Sequence, residues 1–361
     1  LRLVWATVTS LESALPDVQQ LAVELDDGTV GAATCYPRLS GACRTGDRVL
    51  LNTTAIDLAL GTGGRHFVVA RAGTLQGVAL DDPADGHIMK MRYTPMQLDV
   101  LAVESQESPH HEIMRTAETL DGLPVVCCGL HSQMPLVAAA VKAADPELSV
   151  AFCMTDAAAL AMPVSDLVRE CVSAGLVDTT VTCGQAFGGD FEAVNLHSGM
   201  LAAKDVAHAD IIIVAIGPGV VGTATPLGHG GINQGEAINA VAALGGTPVA
   251  CLRMSFADQR PRHQGVSHHS LAALTRIALA PAQVAVPSLP QQLAEKIDAA
   301  LDEAGVWERH VRADAASGSV SPPSTRGVVV RSMGRGLADD PAFFASAFAA
   351  GEVAARLRMG T

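Results

Sequence analysis

The stretch Ala209-Asp210-Ile211-Ile212-Ile213-Val214-Ala215-Ile216-Gly217-Pro218-Gly219 decides the fold. Its apolar run shows no alternation with polar residues, so a strand built from it has both faces buried. Strands of that kind belong to parallel sheets covered by helices on both sides. The Gly-Pro-Gly that follows stops the strand and opens a turn.

The same rhythm of apolar strand, polar turn and helix recurs on either side of this stretch. Strand candidates occupy residues 98–104, 124–130, 149–154, 179–183, 210–216, 247–253 and 282–287. Helix start signals lie between them: Ser108-Pro109 as N-cap and first helical residue, Asn233 with Glu236 as a capping box, and Ser288 ahead of Leu289, Leu293, Ile297 and Leu301 on one face. Residues 97–361 therefore read as an α/β Rossmann-like domain with a doubly wound, mostly parallel sheet in three layers. Its C-terminal part adds a strand-like Gly327-Val328-Val329-Val330-Arg331 and a final helix from Asp340-Pro341, with Phe343, Phe344 and Phe348 as core contacts. A Ser/Gly/Pro-rich surface loop, residues 316–324, precedes them.

Residues 1–75 differ. Val18 to Leu25 alternates, Asp27-Gly28 marks a hairpin, and Gly46-Asp47 precedes the strand-like Arg48-Val49-Leu50-Leu51. A small all-β, barrel-like or sandwich module is expected there. Residues 76–96, at the end of a Gly-, Asp- and Pro-rich stretch, read as a linker.

Composition narrows the function. A hydrophobic fraction of 49% over 361 residues is ample for a large core. The formal net charge of -13 and only 3% aromatic residues argue against nucleic acid as a partner, because nothing offers a phosphate backbone a basic stripe. No apolar stretch reaches the roughly 18 residues of a membrane span, and no basic region leads into an apolar signal segment. The eight cysteines lack paired Cys-x-x-Cys spacing and sit in apolar surroundings. Reduced core thiols and a cytoplasmic location are expected. Homo-oligomerisation is left open.

Ligands of open parallel sheets bind beyond the carboxyl ends of the strands. Those ends carry His131-Ser132, Thr155-Asp156, Gly184-Gln185 with Gly188-Gly189-Asp190, Gly217-Pro218-Gly219, and Arg253-Met254-Ser255. Turns and caps account for small polar residues singly. Caps do not require His131, Asp156, Asp190 and Arg253 on one edge.

Gly217 to Gly222 satisfies G-x-G-x-x-G after a strong strand. A dinucleotide site needs a helix opening inside that motif, whereas Pro226, Gly228, Gly230 and Gly231 postpone the helix to about Asn233. A backbone anion nest formed by Gly217, Gly219, Gly222 and Thr223, or a tight loop without a ligand, is the alternative. No Walker A loop occurs, and the chain has four lysines.

Between residues 253 and 270, Arg253, Arg260 and Arg262 offer planar donor forks to carboxylate or phosphate. They could equally pair with the chain's own carboxylates. His263, His268 and His269 add proton-transfer or metal-ligating capacity near neutral pH, ahead of a helix starting near Ser267. The neighbouring pair His110-His111 is placed on the same edge. A G-x-S-x-G elbow is missing, and Cys183 reads as a core thiol.

Gln106 to His111, Gly129 to Ser132, Met154-Thr155-Asp156, Thr182 to Asp190, Gly217-Pro218-Gly219 with Gly222-Thr223, Gln234-Gly235-Glu236, and Arg260 to His269 together resemble the bacterial family named domain of unknown function 3866. The resemblance joins many segments in order across nearly the whole chain. Ala157 stands where the family pattern tends to carry glycine. The resemblance implies a two-part layout and brings no activity with it.

The resulting expectation is an α/β enzyme that binds a small phosphorylated or carboxylated metabolite at the C-terminal edge and carries out hydrolysis or group transfer. His131, Asp156, His268 and His269 are the catalytic candidates. Gln185, Asp190, Gly217, Gly219, Gly222, Thr223, Arg253, Arg260, Arg262 and His263 are the ligand-binding candidates. Cofactor and metal are left unassigned. A non-enzymatic regulatory protein and an NAD(P)-dependent oxidoreductase are the competing classes.

Overall fold

The computed structural model describes residues 1–59, 63–73, 86–315 and 324–360. The chain divides into two compact units, Leu1–Val100 and Leu101–Thr361.

In the first unit, β1 (Leu3–Ala14), β2 (Gln19–Leu25), β3 (Val30–Cys35), β4 (Arg48–Asn52) and β5 (Arg65–Arg71) close into a barrel in the order β1-β2-β3-β5-β4. Two one-turn helices, α1 (Pro37–Ser40) and α2 (Thr54–Asp57), complete its ends. The alternation of β2 buries Leu21 and Val23 against Ala6, Val8, Ala33, Val49 and Leu51. Gly28 turns the β2–β3 hairpin at φ 84°, a left-handed conformation that glycine adopts without a Cβ penalty. Part of the stretch read as a linker is regular: β6 (Ile88–Lys90) pairs antiparallel with β7 (Leu98–Val100). Residues 76–85 lie outside the described residues. The strand expected over 98–104 thus ends at Val100 and stays with β6, contributing only an isolated bridge from Ala102 to Glu192 beyond it.

The second unit is built on an eight-stranded, all-parallel sheet. Its strands are β8 (Pro124–Cys128), β9 (Val150–Thr155), β10 (Thr179–Cys183), β11 (Phe191–Ala193), β12 (Ile211–Ile216), β13 (Thr247–Cys251), β16 (Gln283–Val286) and β17 (Val311–Asp314), in the order β11-β10-β9-β12-β8-β13-β16-β17. A separate ribbon pairs β14 (Met254–Ser255) with β15 (Gly265–Val266). The helices are α3 (His111–Met114), α4 (Met134–Ala144), α5 (Asp166–Ser173), α6 (Leu196–Asp205), α7 (Asn233–Ala243), α8 (His268–Ala272), α9 (Gln291–Glu303) and α10 (Pro341–Met359).

The β12 stretch supplies both layers. Ile211, Ile213 and Ala215 face a core shared with α4, α5 and α10, while Ile212 and Val214 face one shared with α6, α7 and α9. All six β12 residues are at most 1% exposed, each large side chain contributing about 1.5–3 kcal/mol by its burial. On α10, Gly351 lets the helix lie against α4, because a Cβ there would meet the carbonyl oxygen of Val137 and sit 2.7 Å from the Cβ of Ala140.

Several local expectations are corrected. Gly327–Arg331 is no strand: Val328 and Val330 are buried against the core while Val329 is exposed, and the outer position belongs to β17. Ser108 accepts from the His110 N–H in a local turn instead of capping a long helix. Asn233 lies inside the first turn of α7 and donates to the Glu236 carboxylate, so no capping box forms. The helix expected after Ser288 begins at Gln291, with Ile297 and Leu301 buried as anticipated. Ser267 does cap α8, accepting from the His269 N–H. The 316–324 loop lies outside the described residues except for Ser324. All eight cysteines are buried and unbridged. Among the described residues, no helix is long and apolar enough to cross a membrane.

Candidate functional site

Two neighbouring strands send their connections to opposite faces of the sheet. β8 leads into α4 on one face of the sheet, and adjacent β12 leads into α7 on the other. Connections departing to opposite faces open a crevice at the carboxyl ends of the strands.

His131 spans this crevice. Its Nδ1–H donates to the Ile216 carbonyl at 3.1 Å, which leaves Nε2 to accept from the Ser165 hydroxyl at 2.7 Å. Burial pushes its pKa down to about 4, so the ring is neutral at physiological pH. Ser165 in turn caps α5 by accepting from the Val168 N–H. His131 is therefore a tie between β8, β12 and α5. Two buried glutamines brace the same edge: Gln133 accepts from the Gly129 and Leu130 N–H groups and donates to the Leu252 carbonyl, while Gln234 donates to the Cys127 and Cys251 carbonyls.

The glycine-rich segment is occupied by its own chain. A Cβ on Gly217 would lie 2.5 Å from the Ala159 carbonyl oxygen, and the Ala159 N–H donates to the Pro218 carbonyl. Gly222 bridges His229, and the Thr223 N–H and hydroxyl both donate to the Gly228 carbonyl. The Thr223 N–H is therefore not free for an anion nest; the segment is a small hairpin that delivers His229. Gly219 turns the chain at φ 93°. The following long helix begins at Asn233, outside the motif, which removes the geometric basis for a pyrophosphate at its N-terminus.

What His229 joins is a cluster of four imidazoles. Its ring stacks on that of His269 at 3.8 Å, and His268 and His263 lie 4.4 and 4.9 Å from His269 between ring centroids. Gly231 makes the stacking possible, since a Cβ there would fall 2.9 Å from the His269 Cβ. Arg253, buried at the end of β13, donates to His269 Nδ1. His263 shares its Nδ1 with the Ser267 hydroxyl at 2.7 Å. Burial, reinforced by the Arg253 charge and by neighbouring imidazoles, holds His263 near 3 and His269 near 2, and lowers His229 and His268. The Arg253 guanidinium itself falls to about 10, for burial and for the nearby Arg260 charge. His229, His268 and His269 each offer one nitrogen, all within 4.8 Å of one another, a grouping that could hold a metal ion.

The arginines divide into two kinds. Arg260 is committed to Asp258, donating from Nε and Nη2 at 2.9 and 2.7 Å; Arg335 reaches Asp258 and Asp340, and the Ser255 hydroxyl donates to Asp340. The expected ligand clamp by Arg260 is thus an internal ion pair. Arg262 and Arg276, in contrast, have no carboxylate partner among the described residues. They line a cavity of about 460 Å³ together with His268, Thr225, Leu271 and Thr275.

A family model described as Protein of unknown function (DUF3866) matches residues 32–351. The chain belongs to this family. No curated protein and no solved structure matches it.

In this DUF3866 member, then, Arg253, Arg262, His263, His268 and His269 come together with Gly222 against the His269 ring, and other candidates do not join them. Asp156 accepts from the Gln185 N–H at 2.9 Å and secures the exit turn of β10, where Gly184 has φ 66°. Asp190 faces the start of β10, accepting from the Thr180 N–H and hydroxyl, because the chain doubles back before β11. His110 packs its ring against Phe191, and the His111 ring bonds the Glu104 carbonyl. His229, Arg276 and Ser165 were not anticipated. The tight setting of His229 between Gly228 and Gly230-Gly231 is the one sequence signal that could have exposed it. Arg276 belongs to the π-helical turn Ala273–Ile277, which continues α8 and breaks the helical period by which its face would be read.

Proposed function

We propose that this DUF3866 protein binds a small phosphorylated or carboxylated molecule at the C-terminal edge of its parallel sheet. The observation that carries this reading is the cavity lined by Arg262, Arg276 and His268, two cations without a carboxylate partner beside an imidazole, in a chain of net charge -13. Two guanidinium groups brought together over one cavity, with no carboxylate among the described residues that line it, favour an anion supplied from outside. The volume suits a metabolite-sized ligand.

Hydrolysis or group transfer is the reaction class that fits. His268 stands at the cavity wall as the general acid or base, and a neutral ring there takes a proton from water or a hydroxyl. His269 sits behind it, oriented by Arg253. His131, with both nitrogens engaged, positions the strand ends and stays out of the chemistry.

Thermal melting in a panel of phosphorylated and carboxylated metabolites tests the reading. A ligand at about 100 times its Kd adds about 2.7 kcal/mol to stability. The expected result is a raised Tm for the wild type with at least one class and no rise for the Arg262→Ala, Arg276→Ala double variant. A flat response across the panel, or one indifferent to the two arginines, contradicts it.

A further inference from the structure

We propose that His229, His268 and His269 form a binding site for a first-row transition ion of the zinc type, with its open coordination position directed to the Arg262–Arg276 cavity. The three side chains come from two separate connections, the hairpin after β12 and the start of α8, and converge to within 4.8 Å between candidate ligand atoms. Two of those nitrogens are orphans: His229 Nδ1 and His268 Nε2 are buried without a hydrogen-bond partner. An unpartnered buried polar nitrogen is destabilising, and a fold that places two of them side by side gains by giving them a common partner.

The remaining hydrogen bonds favour ligation. His229 Nε2 donates to the Pro226 carbonyl, which fixes the proton there and leaves Nδ1 with its lone pair exposed to the cluster. Gly231 lies against both rings, and a Cβ there, 3.1 Å from His229 Nδ1 and from His269 Nδ1, would block their turning. Turning is required: around a tetrahedral ion with bonds of 2.0–2.1 Å, nitrogens lie about 3.4 Å apart, and the parallel His229 and His269 rings must rotate out of their stack. His269 gives up its bond from Arg253 in the same movement, which leaves that guanidinium free to face an anion held by the ion. Imidazole-only donors select zinc, copper, nickel or iron over magnesium or calcium. His268 also lines the anion cavity, and as a ligand it gives up the general acid or base role that its free ring would have in the metal-free protein. Three protein ligands with the fourth position open to a substrate cavity is the arrangement of catalytic zinc.

The test is metal content, independent of any anion. The full chain is stripped with chelator, reloaded with Zn²⁺ or Co²⁺, desalted and analysed for bound metal, with the visible spectrum of the Co²⁺ form recorded. The expected result is about one ion per chain and the intense bands of four-coordinate cobalt, both lost in His229→Ala and His268→Ala and kept in His111→Ala. If an alanine variant fails to fold, the wild-type stoichiometry and cobalt spectrum decide. Wild-type protein that retains no metal, binds it with a six-coordinate oxygen-type spectrum, or keeps full occupancy in folded His229→Ala and His268→Ala overturns the site.

Discussion

The Arg253 guanidinium donates to Nδ1 of His269 across 3.1 Å, and both side chains are buried. A guanidinium has no acceptor, so His269 receives the bond on a lone pair and is neutral in this state. The cation lowers the pKa of all four clustered imidazoles after burial has done most of it. Arg253→Met should raise those values together, seen as imidazole shifts moving to higher pH in an NMR titration. Unchanged titration would mean the charge is screened from the cluster.

Acid should unfold the metal-free protein early. His131, His263 and His269 have folded pKa values near 4, 3 and 2, below the unfolded value of about 6.5. Between these limits the unfolded chain binds protons that the native state refuses, so stability is full above pH of about 6.5 and falls as pH drops, by up to about 1.4 kcal/mol per pH unit for each such histidine. The Asp258 carboxylate, held low by its bond from Arg260, adds a loss at still lower pH. Urea midpoints measured from pH 7.5 to 4 should decline steadily, and a flat profile would contradict the neutral cluster.

Ser165→Ala removes the cap of α5 and the donor to His131 Nε2 together. Cap loss costs about 1 kcal/mol and an orphaned buried nitrogen about 1–3 more. Chemical denaturation should show a combined loss of about 2–4 kcal/mol. A loss under about 0.5 kcal/mol, the ordinary surface value, would refute the tie.

Gly217→Ala forces a Cβ to within 2.5 Å of the Ala159 carbonyl oxygen. Overpacking of this kind costs about 1–3 kcal/mol. The expected variant melts lower than wild type. An unaffected Tm would show that the 157–160 segment yields freely.

Arg260→Ala separates the two kinds of arginine. It deprives Asp258 of its bidentate partner and should lower Tm while leaving anion binding within about twofold of wild type. Arg262→Ala should do the reverse.

Sequence reading located the layers of this fold because β12 and its neighbours carry uninterrupted apolar runs, which only a doubly covered strand tolerates. It missed β17, whose residues Val311–Asp314 are largely exposed at the sheet edge, and mistook the apolar Gly327–Arg331 for a strand although that segment packs without pairing. The histidines and arginines after β13 were legible because they follow a strand end directly. His229 was not, since a hairpin bridge between Gly222 and His229 brings it there and no periodicity announces such a contact. Asp190 misled for a similar reason: position after a strand end implies the functional edge only when the chain does not double back.

The most direct measurement is electron density in crystals of the wild-type protein grown with inorganic phosphate and compared with crystals grown in chloride. A phosphate within hydrogen-bond distance of both Arg262 and Arg276, beside His268 and absent in chloride, is the result the account requires. Density lacking there at saturating phosphate, with Arg262 and Arg276 turned onto the protein's own carboxylates, would contradict it.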